Sequence, residues 1–584
     1  MKSDETGVDE DNRFLRLGGH VDIYYEKQDR SAEEPMILDS WGLEIKQVRV
    51  SYDGSESFSV IKYVDHNLNQ VNASARLELN VDSNEDEGIL RIEYSATNST
   101  SLRYSALEYT PFSEDGPVLA VLNRPGMART WLPCQDTLRV KTPVEMKISV
   151  PHPYTALTSG IDVSKRTESL SDDFHYESFQ PMPVAAEQLT LIVGRFERWE
   201  VSERISVWTE TNRREQIRGG FLSEADSILK ICESMVGPFV WEHLNIVVVP
   251  DKLGYKGEML GPNTIYLPVS MFQSSSSPIE DDSLRVQELT RQMMYSWFGN
   301  LVTAPALRIS RIEDPDRPSV HREVNIGERN MLRGIADYLS FHATAQFMDN
   351  DRHLADFFFK RSNEEEDVSS EKIADFSIVM RKLEDLVGGK ETITKFLRII
   401  VLFSVADDFS SEQFWNLLQT LFPDNEIDEQ ALSRPGLVLR NRNRYFDECS
   451  VVLLAWDPLP VEEEPVVKAG QLKELNYAQV AYMLESGVSD RLPIATVKKI
   501  TSVLKKMGIY QDPNMFYRWA LTAIKLGDRS IEDDARDYIE TNMRNPGARA
   551  LFSLLSERAE DGADRKKLKN IQKMFEEESY VPWN

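Results

Sequence analysis

Hydrophobic and polar residues change rhythm along this chain, and each change marks a different kind of structure. Val144, Met146, Ile148 and Val150 alternate with polar neighbours ahead of Pro151, the period of two expected of a half-buried strand. Residues 89–94 and 188–193 carry the same alternation, and Asp53-Gly54 and Ser159-Gly160 supply turn signals. Residues 1–204 therefore predict a β-sheet domain. Over 205–440 the two periods mix. Residues 245–250 read as a short buried strand ended by proline, whereas 283–298 carry Val286, Leu289, Met293 and Trp297 at spacings of three and four, the stripe of an amphipathic helix. Prolines and like charges at 457–460 and 462–465 block regular structure and predict a linker over 441–468. From 469 to 584 the pattern is helical. Val497, Ile500, Leu504 and Met507 form one stripe between Pro493 and Gly508, and Phe516, Trp519, Ala523 and Leu526 repeat it before Gly527. No repeat is clean enough to predict a solenoid.

A chain of 584 residues exceeds one hydrophobic core, and 41% hydrophobic content supports several packed domains. With 67 basic and 95 acidic side chains the net charge is −28, a field that repels a phosphate backbone and argues against nucleic acid as a partner. The acidic runs 364–367 and 462–464 read as solvated loops. Three cysteines without a C-x-x-C pattern point to a reducing compartment rather than a disulfide framework. The acidic N-terminus lacks the apolar core of a signal peptide, and no apolar run reaches the ~20 residues needed to cross a bilayer. A soluble, cytoplasmic protein with no membrane partner is the expectation.

Residues 291–303 read R-Q-M-M-Y-S-W-F-G-N-L-V-T. The second half of that string resembles the stretch after the zinc helix of gluzincin aminopeptidases, where H-E-x-x-H runs directly into an S-W-x-G-N tail. Other segments keep the family's order. Residues 131–137 contain L-P-C-Q-D-T, and Leu229-Lys230-Ile231 precedes Gly237-Pro238-Phe239-Val240-Trp241. Residues 257–262 stand where the family has G-G-M-E-N-P, and 383–389 and 434–437 complete the series. Over nearly its whole length the chain resembles the leukotriene-A(4) hydrolase and aminopeptidase B branch of that family. The resemblance implies a multidomain α+β fold: an N-terminal β-rich saddle domain, a thermolysin-like mixed α/β domain and an armadillo-like, all-helical C-terminal domain.

In working members of the family, zinc is held by two histidines of H-E-x-x-H and a glutamate from a following N-E-G helix. Carried over in register, the two histidines fall on Arg291 and Tyr295, the general base on Gln292 and the third ligand on Arg333, beyond an insertion over roughly 304–325. The glutamate that pairs with a substrate's ammonium falls on Leu260, two residues from Glu258, and the oxyanion tyrosine falls on Ile373. Arg544 stands near the position of a basic residue that receives a peptide carboxylate. Arginine stays protonated and has no lone pair to give a metal. The resemblance with these departures implies a degenerate site without zinc, and an inactive homologue retained to bind a peptide or protein. An acidic ligand would suit Arg291 and Arg333 in an interdomain groove, with Gln135, Gly257, Glu258, Met259 and Arg544 as candidate lining residues. Glu288, one turn early in Q-E-L-T-R, reads as a helix-surface carboxylate, and the eight histidines fall in no H-x-x-H, H-x-H or H-E pattern. Two alternatives stay open: a metalloaminopeptidase or epoxide hydrolase working through a rearranged site, and a subunit of a larger assembly.

Overall fold

A computed structural model describes residues 16–27, 35–54, 57–66, 76–82, 85–97, 99–105, 117–122, 125–167, 173–210, 217, 220–253, 261–272, 283–305, 326–349, 375–404, 408–425, 492–541 and 546–558, with scattered positions between 427 and 484 and at 568 and 571. The chain forms two compact units. The first comprises Met1–Gln273, Ser283–Asp349 and Ser369–Arg434, and the second comprises Ser274–Asp282, Asn350–Val368 and Pro435–Asn584.

The first unit opens in β-structure. An antiparallel sheet runs in the order Arg16–Glu26, Glu87–Thr97, Leu43–Ser51, Ser59–Val60, beside a second sheet of Met36–Asp39, Arg76–Leu79 and Tyr63–Asp65. The alternation in 89–94 appears as burial of Leu90, Ile92 and Tyr94, and Leu90 and Ile92 share a core with Leu38, Val48, Val50, Leu77 and Leu79. Thr142–Pro151 is a strand in which positions 144, 146, 148 and 150 are each less exposed than their neighbours, matching the period of two. It pairs with Asp173–Val184 in a three-stranded sheet. The run 188–193 departs from expectation. Ala186–Gln188 is a 3₁₀ turn and the strand begins only at Leu191. The Gln188 side chain causes this, because its Oε1 accepts from the Ala185 N–H at 2.8 Å and closes the turn.

The mixed region is built on a four-stranded sheet ordered Phe196–Ser202, Ile205–Glu210, Leu244–Val249, Thr264–Pro268. Its last three strands are parallel, and Ile205–Glu210 and Leu244–Val249 are buried at every position, the second being the short buried strand expected at 245–250. Among the described residues six helices accompany it: α1 (Ala225–Val236), α2 (Ser283–Tyr295), α3 (Ile326–Phe347), α4 (Phe376–Val387), α5 (Lys390–Phe403) and α6 (Ser411–Leu421). α2 packs on α3, and α3 packs on α4. At the second crossing Gly334 leaves no room for a side chain: a Cβ there would lie 2.5 Å from the Cβ of Phe376 and 2.7 Å from the Ser377 nitrogen.

The described part of the second unit is helical: α7 (Ile494–Lys506), α8 (Pro513–Lys525), α9 (Glu532–Thr541) and α10 (Pro546–Arg558). The predicted stripes are its core, with Val497, Ile500, Leu504, Phe516, Trp519 and Ala523 all buried. Pro493 caps the start of α7, and Gly508 follows its end with a left-handed φ of 77°. Among the described residues no helix is long and apolar enough to cross a membrane. No disulfide joins Cys134, Cys232 and Cys449, and all three are buried.

Candidate functional site

α2 brings the expected positions together on one face. Arg291 and Tyr295 lie four residues apart, so a helix of 3.6 residues per turn stacks them. Both are interior, at 7% and 2% exposure. The guanidinium of Arg291 does not reach outward. Its Nη1 donates to the Tyr295 hydroxyl oxygen at 3.0 Å, while Nε and Nη2 donate to the Glu288 carboxylate at 2.9 and 2.6 Å. Gln292 Nε2 donates to the same carboxylate at 2.9 Å. Glu288 therefore corrects the expectation of a surface carboxylate: its side chain is 22% exposed and holds both neighbours on the helix.

The electrostatics follow from this closed arrangement. Burial alone disfavours a charged Arg291, but Tyr295, Glu288 and Asp337 outweigh it and hold the guanidinium protonated beyond the ordinary arginine range. Burial, together with the Asp337 carboxylate, pushes the Tyr295 phenol up to about 12. Asp337, buried on α3, is a member of this cluster that sequence reasoning missed. Arg333, one turn earlier on α3, is exposed, and its charge is felt at Tyr295.

The tail behind α2 is bound to the fold by several routes. Asn300 closes the helix end, its N–H and Nδ2 donating to the Tyr295 carbonyl at 3.2 and 3.0 Å. Gly299 takes a φ of 129°, reserved for glycine, and donates to the Val302 carbonyl at 2.9 Å. The Trp297 indole donates to the Pro238 carbonyl at 3.2 Å and stands edge-on to Phe239, while Trp241 donates to the Ser296 carbonyl at 3.0 Å. From the N-terminal β-region, Gln188 Nε2 donates to the Asn300 carbonyl at 3.0 Å and to Asn300 Oδ1 at 3.2 Å. Beside it Glu187 pairs with Arg329 of α3 at 2.8 Å. Gln188 and Glu187 were invisible to periodicity; the only hint is a polar pair inside an otherwise apolar strand pattern.

The L-P-C-Q-D-T element is likewise structural. Asp136 is buried and takes Arg129 Nε at 2.8 Å, and Arg129 Nη1 reaches Asp39 at 2.9 Å. Gln135 beside it is exposed. Gly257, Glu258, Met259, Leu260, Ile373 and Arg544 lie outside the described residues. Among the described residues no group of three or more His, Cys, Asp or Glu side chains is placed to hold a metal ion.

A β-rich N-terminal region, a mixed α/β region and a helical C-terminal region define a multidomain α+β protein. Residues 9–185 match the Peptidase M1 N-terminal domain family. The leukotriene A-4 hydrolase of Xenopus laevis is 21% identical over 419 residues, spanning 68% of this chain and 67% of that protein. Leucine aminopeptidase 2 of Neurospora crassa is 28% identical over 177 residues, spanning 30% of this chain and 25% of that protein. The structure of native leukotriene A4 hydrolase from Saccharomyces cerevisiae shares the fold, with a TM-score of 0.67, 19% identity, and coverage of 96% of this chain and 90% of that one. Residues 9–185 thus carry a Peptidase M1 N-terminal domain, and the chain is similar to leukotriene A4 hydrolase in sequence over 68% of its length and in fold over 96%.

Proposed function

We propose that this chain is a zinc-free pseudoenzyme, a homologue of the metalloaminopeptidases that binds a peptide or protein without hydrolysing it. The carrying observation is the guanidinium of Arg291, seated at the first ligand position and bound to Glu288 and Tyr295. Zinc takes thiolate, imidazole or carboxylate donors. The three ligand positions hold instead two guanidiniums and a phenol whose proton burial retains, so these residues do not fit the metal. Gln292 at the base position has no titrating proton, and it spends its amide on Glu288.

Arg291 is also spent as a cation. Of the two arginines expected to greet an acidic ligand, Arg333 alone is exposed, and the affinity of this face for a carboxylate rests on it. The cytoplasm is the compartment that the buried, unlinked cysteines fit.

Metal analysis of the purified full chain, joined to an aminoacyl-amide hydrolysis assay, tests the reading. The expected result is zinc well below one equivalent and no turnover that a chelator abolishes. Stoichiometric zinc with chelator-sensitive turnover overturns it and restores the rearranged-site hydrolase.

A further inference from the structure

The helical unit carries unspent positive charge where the rest of the chain is acidic. α7 reads I-A-T-V-K-K-I-T-S-V-L-K-K, four lysines and no acid, within a chain of net charge −28. Lys498, Ser502, Lys505 and Lys506 recur at helical spacing on one face, and with Thr501 and Ser530 they line an open hollow of about 500 Å³. Lys505 is committed: it pairs with Asp534 at 2.9 Å and lies over the Tyr510 ring. Tyr510 donates to the same Asp534 carboxylate at 2.7 Å. The hydroxyl of Thr501 donates to Val497, and that of Ser530 to Asp528. Lys498 and Lys506 are exposed, and neither has an ion-pair partner among the described residues. The helix dipole favours cations in a last turn, which accounts for Lys505 and Lys506 but not for Lys498 two turns earlier.

We propose that this face of α7 is a docking surface for an acidic peptide segment in extended conformation. The length supports a peptide over a compact anion. Lys498 and Lys506 are separated by eight residues, about 12 Å at 1.5 Å per residue. An extended strand rises ~3.3 Å per residue, so carboxylates four residues apart span about 13 Å and meet both ammoniums. The Ser502 hydroxyl between them suits a backbone carbonyl. This surface is independent of whether the α2 face hydrolyses anything, so its failure and the failure of the pseudoenzyme reading are separate results.

The test is fluorescence anisotropy of the full chain with a labelled ten-residue peptide of alternating Glu and Ser, at low salt. Binding is expected, weakening as salt rises because exposed pairs are screened. K498E/K506E is expected to lower affinity at least ~10-fold through like-charge repulsion. The control K499E/K525E makes the same change of net charge at exposed lysines outside the hollow and is expected to stay within about 3-fold of the parent. Thermal melting of both variants separates lost binding from lost fold. Equal weakening by the two variants, or no binding by the parent chain, overturns the proposal. Displacement of the peptide by inorganic tripolyphosphate at a lower concentration also overturns it, in favour of a small phosphorylated ligand.

Discussion

Residues 288–295 and 296–303 are contiguous in the chain, and they have met different fates. On the first stretch Arg291, Gln292 and Tyr295 bond to one another or to Glu288 within a single helix. On the second stretch the bonds leave the helix. They run to Pro238, Trp241 and Gln188, up to 112 residues away. A side chain whose partners are local can be exchanged together with them. One that ties three segments of the fold together cannot, because each exchange strands polar groups elsewhere. The 296–303 stretch is thus held by its structural role, whatever the chemistry of the helix before it.

The sharpest way to break this comparison is Trp297→Ala. The indole is 1% exposed, and its removal should cost about 3–5 kcal/mol, read as a lower denaturation midpoint of the first unit. A cost below that of exchanges on α2 would contradict the account. Arg291→Met comes next, at about 2–3 kcal/mol, because it takes the Arg291 donor from the Tyr295 oxygen and leaves the Glu288 carboxylate without its cation, with the Gln292 amide still bound to it. The double variant E288M/R291M should recover at least half of that loss, as expected where a local pair is replaced as a unit. Gln188→Ala should cost about 1–2 kcal/mol by orphaning acceptors on Asn300, and no neighbouring substitution on the same turn should rescue it.

The smallest effect sharpens the contrast further along α3. His342 Nε2 meets the Glu384 carboxylate of α4 at 3.0 Å, and Tyr338 donates to the same oxygen at 2.9 Å. Burial holds His342 below its ordinary value of 6.5, although Glu384 pulls the other way. Burial alone raises Glu384, but the contacts from His342, Arg381 and Tyr338 outweigh it and leave the carboxyl below 4.5. Each group binds fewer protons folded than unfolded, so stability is present above the ordinary values and is lost as pH falls. The His342 share goes first, below about pH 6.5, and the Glu384 share below about 4.5. His342→Gln keeps a donor to Glu384 while removing the first titration. Its melting temperature should vary less than the parent's between pH 7 and pH 5.5.

Much of the fold was legible because burial writes itself into spacing. Val286, Leu289 and Met293 announce α2, and Pro493 directly precedes α7 while Gly508 follows it after Met507. Trp297 continued the stripe on paper yet lies beyond the helix, since Asn300 caps Tyr295 and Gly299 turns the chain away. Alternation puts Gln188 in a strand because it counts apolar residues and is blind to a side chain that bonds across more than a hundred positions. The candidate site was half readable. The resemblance pointed to Arg291, Gln292, Tyr295 and Arg333, and the spacings of three and four from Glu288 to Arg291 and Gln292 already contained that carboxylate's contacts. Asp337 was hidden, because nothing within its own helix announces a partner on α2.

One residue after Arg333, Gly334 fixes how near two helix backbones may come. A single methyl group there would sit 2.5 Å from Phe376, whose ring stands edge-on to Phe414 at 5.4 Å and to Trp415 at 6.2 Å. Phe414 in turn abuts Phe396 at 5.3 Å. A wedge driven in at 334 would therefore be passed ring by ring to α5 and α6, so a missing methyl group in α3 acts as the spacer that sets the gauge between α3 and the aromatic cluster of α4, α5 and α6.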